Sequence, residues 1–219
     1  MSIIKNTISI SEGNIKEGHI HSVSVPPIVT CNPDLPCFPK CYAVWMMKRW
    51  GDSPSGVKQA WERNLRIYRE NPDEYFNQVS SHCKTQAYFR WHVGGDIVDA
   101  AYFEGMIRVA KENPQTLFRY FTKKYEIVNT YCDEHGHTRD CLPKNLITLF
   151  SQWDGYELVN PYNFPVVHVI LKGQEPDPDW KICGGNCMDC ICKGIGCWTL
   201  LPGDHLGIYE HGPGTKGGK

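Results

Sequence analysis

The sequence predicts an α/β fold with a parallel sheet, arranged as a partial (β/α) barrel or as an open sheet. Strand-like and helix-like segments alternate along the chain, which is typical of strands joined by crossover helices. Residues 164–171 form an almost unbroken apolar run, as expected of a parallel strand buried on both faces. Roughly five or six strands are expected, too few for a closed eight-stranded barrel.

The N-terminal half is predicted to hold two strands with helices between them. Residues 19–30 alternate and are rich in β-branched side chains, a pattern that indicates a strand. Ser53 and Pro54 form a good N-cap and first-turn pair, and Asn71-Pro72 ends one helix and starts the next. The expected elements are a strand over 19–30, helices through 45–47, 57–68 and 75–79, and a strand over 86–93.

The C-terminal half continues the alternation and then becomes rich in cysteine. The expected elements are a helix over 103–110, a strand over 116–122, a short helix over 125–131, and strands over 146–150, 164–171 and 180–182. We expect a barrel domain over 1–182, a Cys-rich metal-binding segment packed on it over 183–211, and a disordered tail over 212–219.

The overall charge and hydropathy exclude several classes of function. The formal net charge is −1, so nothing global indicates binding to nucleic acid or to a membrane surface. No apolar stretch approaches the roughly 20 residues of a membrane span, and the N-terminus lacks the features of a signal peptide. We therefore expect a cytoplasmic protein, in which the 11 cysteines indicate metal binding or catalysis rather than disulfides.

Five cysteines lie close together near the C-terminus, and we call them the C-terminal thiols: Cys183, Cys187, Cys190, Cys192 and Cys197. The spacing of the first three is typical of thiolates that wrap one iron–sulfur cube, with Cys192 or Cys197 available as the fourth ligand. Glycines between them let the backbone turn sharply and bring amides toward sulfur. A tetrahedral zinc site could use the same atoms, because Cys187 and Cys190 form a close pair, although five thiols exceed what zinc needs.

A second group, the N-terminal thiols, comprises Cys31, Cys37 and Cys41 and directly follows the first predicted strand. Ligands collect at the carboxyl ends of strands in such folds, so we expect this group to lie at the same edge of the sheet as Asp96 and Cys183. Three thiolates on a 4Fe–4S cube leave one iron open to bind a substrate or cofactor. Alternatively, the two cysteine groups share one site.

The Gly-Gly-Asp turn (Gly94, Gly95 and Asp96) follows the second predicted strand. It could hold a small molecule through backbone amides and one carboxylate, near a helix N-terminus. A plain strand-to-helix turn in which Asp96 caps the helix explains these residues equally well. His92, just before the turn, is expected to be a buried or hydrogen-bonded histidine.

One further run has zinc-like residue types but a spacing that matches no common site: Cys132, His135, His137 and Cys141. A solvated loop is the better interpretation of this run.

Several motifs, taken in order, resemble the phage gene product 88 family. They are His21-Ser-Val-Ser-Val25, the loop ending Cys41-Tyr42-Ala43, the segment Phe89-Arg-Trp-His-Val-Gly-Gly-Asp96, the segment Phe118-Arg-Tyr-Phe-Thr-Lys-Lys124, and Gly196-Cys197-Trp198. The resemblance covers roughly residues 19–200. It implies a phage or prophage origin, with the host cytoplasm as the place of action.

A more distant similarity is to radical S-adenosylmethionine (SAM) enzymes, which place a three-cysteine loop after the first strand of a partial (β/α) barrel. The N-terminal thiols match that loop, and the Gly-Gly-Asp turn matches a Gly-Gly-Glu-like segment that receives the SAM amino group. The resemblance implies that Asp96 positions the amine, as the candidate catalytic residue, and that the C-terminal thiols bind an auxiliary cluster. The loop spacing is five then three residues here, instead of the usual three then two.

The leading hypothesis is a radical-SAM-like iron–sulfur redox enzyme with one or two 4Fe–4S clusters, and with SAM as a candidate cofactor. Its expected partners are a small-molecule substrate and an electron donor of ferredoxin or flavodoxin type. An iron–sulfur redox protein that does not use SAM is one alternative. A zinc-stabilised binding module for phage–host interaction is another, from a different functional class.

Overall fold

The computed structural model describes residues 6–49 and 56–210, which form a mixed α/β structure. The strands of this part are β1 (Ile10–Ser11), β2 (His21–Val23), β3 (Tyr88–Trp91), β4 (Leu117–Thr122), β5 (Leu146–Gln152), β6 (Val166–Ile170), β7 (Lys181–Ile182) and β8 (His205–Tyr209). Its helices are α1 (Pro27–Thr30), α2 (Tyr42–Arg49), α3 (Val57–Glu70), α4 (Pro72–Cys83), α5 (Ala100–Glu112), α6 (Tyr125–Glu134) and α7 (Cys187–Cys192). The predicted α/β class is confirmed.

All of these strands belong to one sheet, in the order β1-β2-β3-β4-β5-β6-β8-β7. Strand β1 is antiparallel to β2, and every other neighbouring pair is parallel. Within the described ranges β1 and β7 do not pair with each other, so the sheet is open and no closed barrel forms. The predicted parallel sheet is therefore confirmed in its coarse form.

The two faces of the sheet are covered by different parts of the chain. Because side chains alternate along a strand, Phe118 and Tyr120 of β4 face the helices α3 to α6, in an aromatic-rich main core. Leu117 and Phe121 face the other way and pack with a second cluster that includes Cys197 and Trp198. The Cys-rich C-terminal segment covers this second face, as the helices cover the first.

Three elements differ from the sequence-based expectation, and the first is the short strand β1, which was not expected. The predicted strand over 19–30 ends at Val23, and Pro27–Thr30 forms the short helix α1. Proline donates no hydrogen bond to a strand ladder, and its fixed φ suits the first position of a helix, so Pro27 starts one. Strand β8 was not expected, since its five residues are interrupted by Gly207, which weakens the strand signal.

The predicted domain boundary at residue 182 stays a prediction. Strand β8 lies beyond that boundary and inserts between β6 and β7, so the segment 183–210 supplies a strand as well as the C-terminal thiols. The predicted cap at Ser53-Pro54 and the predicted tail over 212–219 fall outside the described residues. None of the helices in the described ranges combines the length and the apolar character needed to cross a bilayer.

A buried asparagine on α3 connects that helix to the N-terminal part of the sheet. Asn64 Nδ2 donates to the carbonyl oxygens of Ser9 and Ser24, each at 2.9 Å. Asn64 Oδ1 accepts from the Ser9 amide at 2.6 Å. The Asn64 side chain is fully buried, and of its three backbone contacts the one to the Ser24 carbonyl oxygen is buried as well. Asn64 thereby holds the backbone that leads from β2 toward Cys31.

Replacing Asn64 with alanine should destabilise the protein by about 1 to 3 kcal/mol, because it leaves the buried Ser24 carbonyl oxygen and two partly buried backbone groups of Ser9 without their partner. Urea unfolding followed by circular dichroism measures this free energy. Glu62→Ala, at an exposed position of the same helix, is the control and should change stability by about 0.5 kcal/mol or less. Equal effects of the two substitutions would show that the Asn64 hydrogen bonds contribute little.

Candidate metal centres

The N-terminal thiols lie at the carboxyl edge of the sheet, where short helical turns place them. Helix α1 follows β2 and ends at Thr30, and the amide of its C-cap residue Cys31 donates to the Pro27 carbonyl oxygen at 3.0 Å. Cys37 and Cys41 flank a 3-10 turn at Phe38–Lys40. All three thiols are partly exposed. The loop thus presents three sulfur atoms directly after the first parallel strand, as expected.

The charges near these thiols come from the ends of the next two strands. Burial raises the pKa of Cys31, and Asp96, Cys41 and Cys37 raise it further, whereas Lys123 lowers it. Burial also raises the pKa of Cys37, and Lys123 opposes that shift. The structure therefore brings together the N-terminal thiols, Asp96 and Lys123. A thiolate in this place needs a positive neighbour, which Lys123 or a bound metal ion supplies.

Asp96 is 6% exposed and joins the end of β3 to the end of β4. Its Oδ1 accepts from Thr122 Oγ1 at 2.7 Å and from the Ile97 amide at 2.8 Å. Its Oδ2 accepts from the Lys123 amide at 2.9 Å. Burial raises the pKa of Asp96, and these hydrogen bonds oppose that shift. An ionised carboxylate can accept about four hydrogen bonds, so Oδ2 retains room for one more donor.

The Gly-Gly-Asp turn packs directly on the segment that leads to Cys31. Gly95 has a φ of +84°, and a Cβ there would lie 2.4 Å from the Val25 carbonyl oxygen and 2.8 Å from Thr30 Oγ1. Only glycine fits this contact. Asp99, and not Asp96, caps α5 by accepting from the Tyr102 amide at 2.8 Å. The alternative interpretation of Asp96 as the helix cap is therefore wrong.

The C-terminal thiols pack against the second face of the sheet, where Cys183, Cys187 and Cys197 belong to its hydrophobic cluster. Cys183 follows β7, and its amide donates to the Gly207 carbonyl oxygen at 2.9 Å. The last residue of β7, Ile182, pairs with Gly207, so Cys183 lies level with Ile208, one residue before β8 ends. The N-terminal and C-terminal thiols thus occupy different places on the sheet, which favours two sites over one shared site.

Four of the C-terminal thiols are neighbours, while Cys192 is apart from them. Successive residues of a helix are about 100° apart, so in α7 the side chains of Cys187 and Cys190 project about 60° apart. Cys192 projects about 140° away from Cys187, and its side chain is exposed. Between the two candidates for a fourth ligand, the structure therefore favours Cys197, which is buried.

Glycine backbone groups lower the pKa of two of these thiols, which agrees with the prediction from the glycine-rich sequence. Burial raises the pKa of Cys183, as do Cys190 and Cys187, and the Gly185 backbone opposes the shift through a hydrogen bond. Burial raises the pKa of Cys190 too, again opposed by a backbone hydrogen bond, from Gly184. Hydrogen bonds to sulfur are characteristic of iron–sulfur sites, where they help to set the potential.

A buried arginine from the sheet contacts the other two sulfur atoms. Arg119, in the middle of β4, is 2% exposed. Its Nη1 donates to Cys197 Sγ, and both Nη1 and Nη2 lie 3.7 Å from Cys187 Sγ. Burial alone would lower the pKa of Arg119, but Cys197 and Cys187 raise it overall. Its guanidinium carbon lies 4.3 Å from the ring centroid of Trp198.

The sequence-based prediction did not include Arg119 among the site residues. The available signal was a single cation inside the otherwise apolar strand Leu117–Thr122. Charged residues are almost never fully buried without a partner, so an arginine in a central strand indicates an anionic partner on the same face. The sequence does not say which residues supply it.

Neither cysteine group forms a finished coordination sphere. Within residues 6–49 and 56–210, no group of three or more histidine, cysteine, aspartate or glutamate side chains is arranged to hold a metal ion as it stands. Metal binding therefore requires the thiols of a group to draw together. Rotation of cysteine side chains between rotamers and the flexible glycine backbone around them permit such a movement.

The zinc-like run near residue 140 does not converge on a point. Cys132 and Cys141 have their sulfur atoms 3.6 Å apart. His135 instead stacks on Tyr131 and contacts its carbonyl oxygen through Nδ1 at 2.8 Å, and exposed His137 faces Asp133. The two histidines are thus engaged away from the cysteine pair, and no four-ligand zinc site forms there.

His92 is a buried histidine in the core, as expected, and lies just before the Gly-Gly-Asp turn. Its Nε2 lies 3.1 Å from the Tyr102 hydroxyl, which lies 2.7 Å from the Tyr75 hydroxyl. Burial, with the nearby charges of Arg90 and Lys124, lowers the pKa of His92 from 6.5 to about 3. The imidazole is therefore neutral in the folded protein at neutral pH.

Stability should fall as the pH is lowered from about 6.5 toward 3, because the unfolded chain protonates His92 and the folded one does not. This group contributes a slope of up to about 1.4 kcal/mol per pH unit. His92→Gln should reduce the slope of the unfolding free energy against pH by that amount. His137→Gln, at another histidine with positive φ, controls for the pH-independent cost of the substitution. An unchanged slope in His92→Gln would contradict the assignment.

Comparisons with known proteins identify the family of the chain but no individual relative. No curated protein and no solved structure matches the chain. The model of the family described as gene product 88 matches residues 4–200, which include both cysteine groups and the Gly-Gly-Asp turn. This match covers most of the 219 residues and extends further toward the N-terminus than the resemblance seen in the motifs. The chain belongs to the phage gene product 88 family.

Proposed function

We propose that the chain is an iron–sulfur redox protein with two thiolate-ligated centres. The N-terminal thiols bind one 4Fe–4S cluster, and the second is bound by four of the C-terminal thiols: Cys183, Cys187, Cys190 and Cys197. The observation that carries this proposal is that these cysteines come from three separate segments to one face of the sheet: Cys183, Cys187 and Cys197 pack in one cluster, and Cys190 Sγ lies beside Gly184 and Gly196. Dense thiol groups of this kind select soft metal centres.

The N-terminal site supports a finer proposal, a radical-SAM-like enzyme. Three thiols are too few to complete a 4Fe–4S cube, so one iron stays open to a cofactor or substrate. The strands β2, β3, β4, β5, β6 and β8 are consecutive parallel neighbours, an order that suits a partial (β/α) barrel. The three-cysteine loop and the Gly-Gly-Asp turn follow the first two of these strands, in the order that the resemblance implies.

Residues of the chain have distinct tasks in this proposal. Asp96 Oδ2, which accepts from the Lys123 amide, would also accept a hydrogen bond from the SAM amino group. Lys123 Nζ, held by Ser151 Oγ at 2.9 Å, offers positive charge beside the N-terminal thiols. When bound, the cluster and SAM together supply reductive cleavage and a substrate radical, which is chemistry that the protein itself lacks. The electron comes from a ferredoxin- or flavodoxin-type donor.

A second candidate function follows from the separation of Cys192. Without it, the C-terminal site has four thiols, the number that a structural zinc site uses. The pair Cys187 and Cys190 has zinc-like spacing. In this alternative the C-terminal site holds zinc and stabilises a module for phage–host interaction.

Anaerobically purified protein should contain about eight iron and eight sulfide per chain, the content of two 4Fe–4S clusters. Cys190→Ser should lower both contents by about half, because it removes a ligand of one cluster. Cys192→Ser is the matched control on the same helix and should leave both contents unchanged. Colourless protein that contains zinc, without iron or sulfide, would end the iron–sulfur proposal.

Reduced protein should bind SAM and convert it to methionine and 5′-deoxyadenosine, both measured by chromatography. Cys31→Ala should abolish the products, since it removes a ligand of the open cluster. Asp96→Asn should weaken SAM binding about tenfold, the effect of losing roughly 1.4 kcal/mol from a charge-assisted hydrogen bond. Full iron content without SAM binding or cleavage would leave the SAM-independent redox protein as the function.

A further inference from the structure

We propose that Arg119 is a positioning residue of the C-terminal metal centre. From strand β4, this arginine holds the sulfur ligands Cys187 and Cys197 and offsets their negative charge. This inference rests on the proposed function, because it concerns a metal bound at that site. The site therefore includes one residue of β4, outside the Cys-rich segment.

The fold holds the Arg119 guanidinium in a defined position. Strand β4 pairs with β3 on one side and with β5 on the other, so its backbone is fixed in the middle of the sheet. The guanidinium carbon lies 5.2 Å from the ring centroid of Phe121 and 4.3 Å from that of Trp198. Arginine presents its donors in a rigid planar fork. The two aromatic contacts therefore direct that fork at the sulfur atoms.

The partners of Arg119 are sulfur atoms rather than carboxylates. Among the ion pairs of the described residues, none joins Arg119 to an aspartate or glutamate. Arg90 occupies the register-paired position on β3 and forms an ion pair with Glu17. An isolated buried charge is costly, so Arg119 fits a site whose counter-charge comes from thiolate ligands.

Metal ligation provides that counter-charge. Four thiolates around one Zn²⁺ carry a net charge of about −2, and a cluster held by four thiolates is also anionic. A guanidinium that donates to two of the four sulfur atoms stabilises the ligand set. It also favours the more negative, reduced state of an iron–sulfur centre, because attraction between opposite charges is strong in a buried site. Its loss should therefore weaken metal retention and lower the reduction potential.

The inference is tested on the full chain with Cys31, Cys37 and Cys41 replaced by alanine, so that only the C-terminal centre is loaded. Arg119→Met removes the charge and the donors, and Arg119→Lys keeps the charge but loses the fork. Arg90→Lys is the matched control on the neighbouring strand. Release of metal to a chelator is measured in each variant, together with the reduction potential where iron is bound and the circular dichroism spectrum as a test of folding.

Arg119→Met should release the metal about 10- to 100-fold faster than the parent, as is typical when a residue that orients the ligands is lost. Its reduction potential should be more negative. Arg119→Lys should release the metal at an intermediate rate, with a potential near that of the parent, and Arg90→Lys should match the parent in both. If Arg119→Met does not fold, the rate for Arg119→Lys decides the result.

Release rates that agree within about twofold among the parent, Arg119→Lys and folded Arg119→Met would overturn the inference, with the proposed function intact. A protein that binds neither iron nor zinc in its unmodified form would overturn the proposed function and this inference together.

Discussion

A buried carboxylate determines the geometry of the carboxyl edge of the sheet. Asp96, in the turn that follows β3, accepts hydrogen bonds from the end of β4, and Gly95 beside it touches the segment that leads from β2 to Cys31. Three consecutive strand ends are thereby joined through one turn. The position of the N-terminal thiols relative to Lys123 depends on this connection, and so does any ligand that binds there.

The second face of the sheet shows how alternation within one strand can serve two purposes. Phe118 and Tyr120 of β4 complete the aromatic core beneath the helices, whereas Arg119 between them points to the opposite face. There the Cys-rich segment covers the sheet, and the guanidinium meets Cys187 and Cys197. The same strand therefore contributes to the stability of the core and to the organisation of the C-terminal thiols.

Local sequence patterns predicted most elements of the fold, and the exceptions have local causes. The apolar run at 164–171 became the parallel strand β6, and the Asn71-Pro72 boundary separates α3 from α4. The segment Pro27–Thr30 was wrongly predicted as strand, since its β-branched residues outweighed the effect of two prolines. The sequence pattern of strand β8 was too weak to predict a strand. The segment is a strand because it pairs with β6 and β7.

The sequence by itself determined which atoms are available: two groups of thiols, one directly after the first parallel strand and one within a glycine-rich segment. It also determined that a Gly-Gly-Asp turn follows the next strand. Only the tertiary structure decided that Asp96 ties two strands together, that Cys192 is apart from the other C-terminal thiols, and that Arg119 lies against Cys197, 78 residues away. Periodicity and spacing report on neighbours along the chain, whereas these contacts arise from the packing of distant segments on the two faces of one sheet.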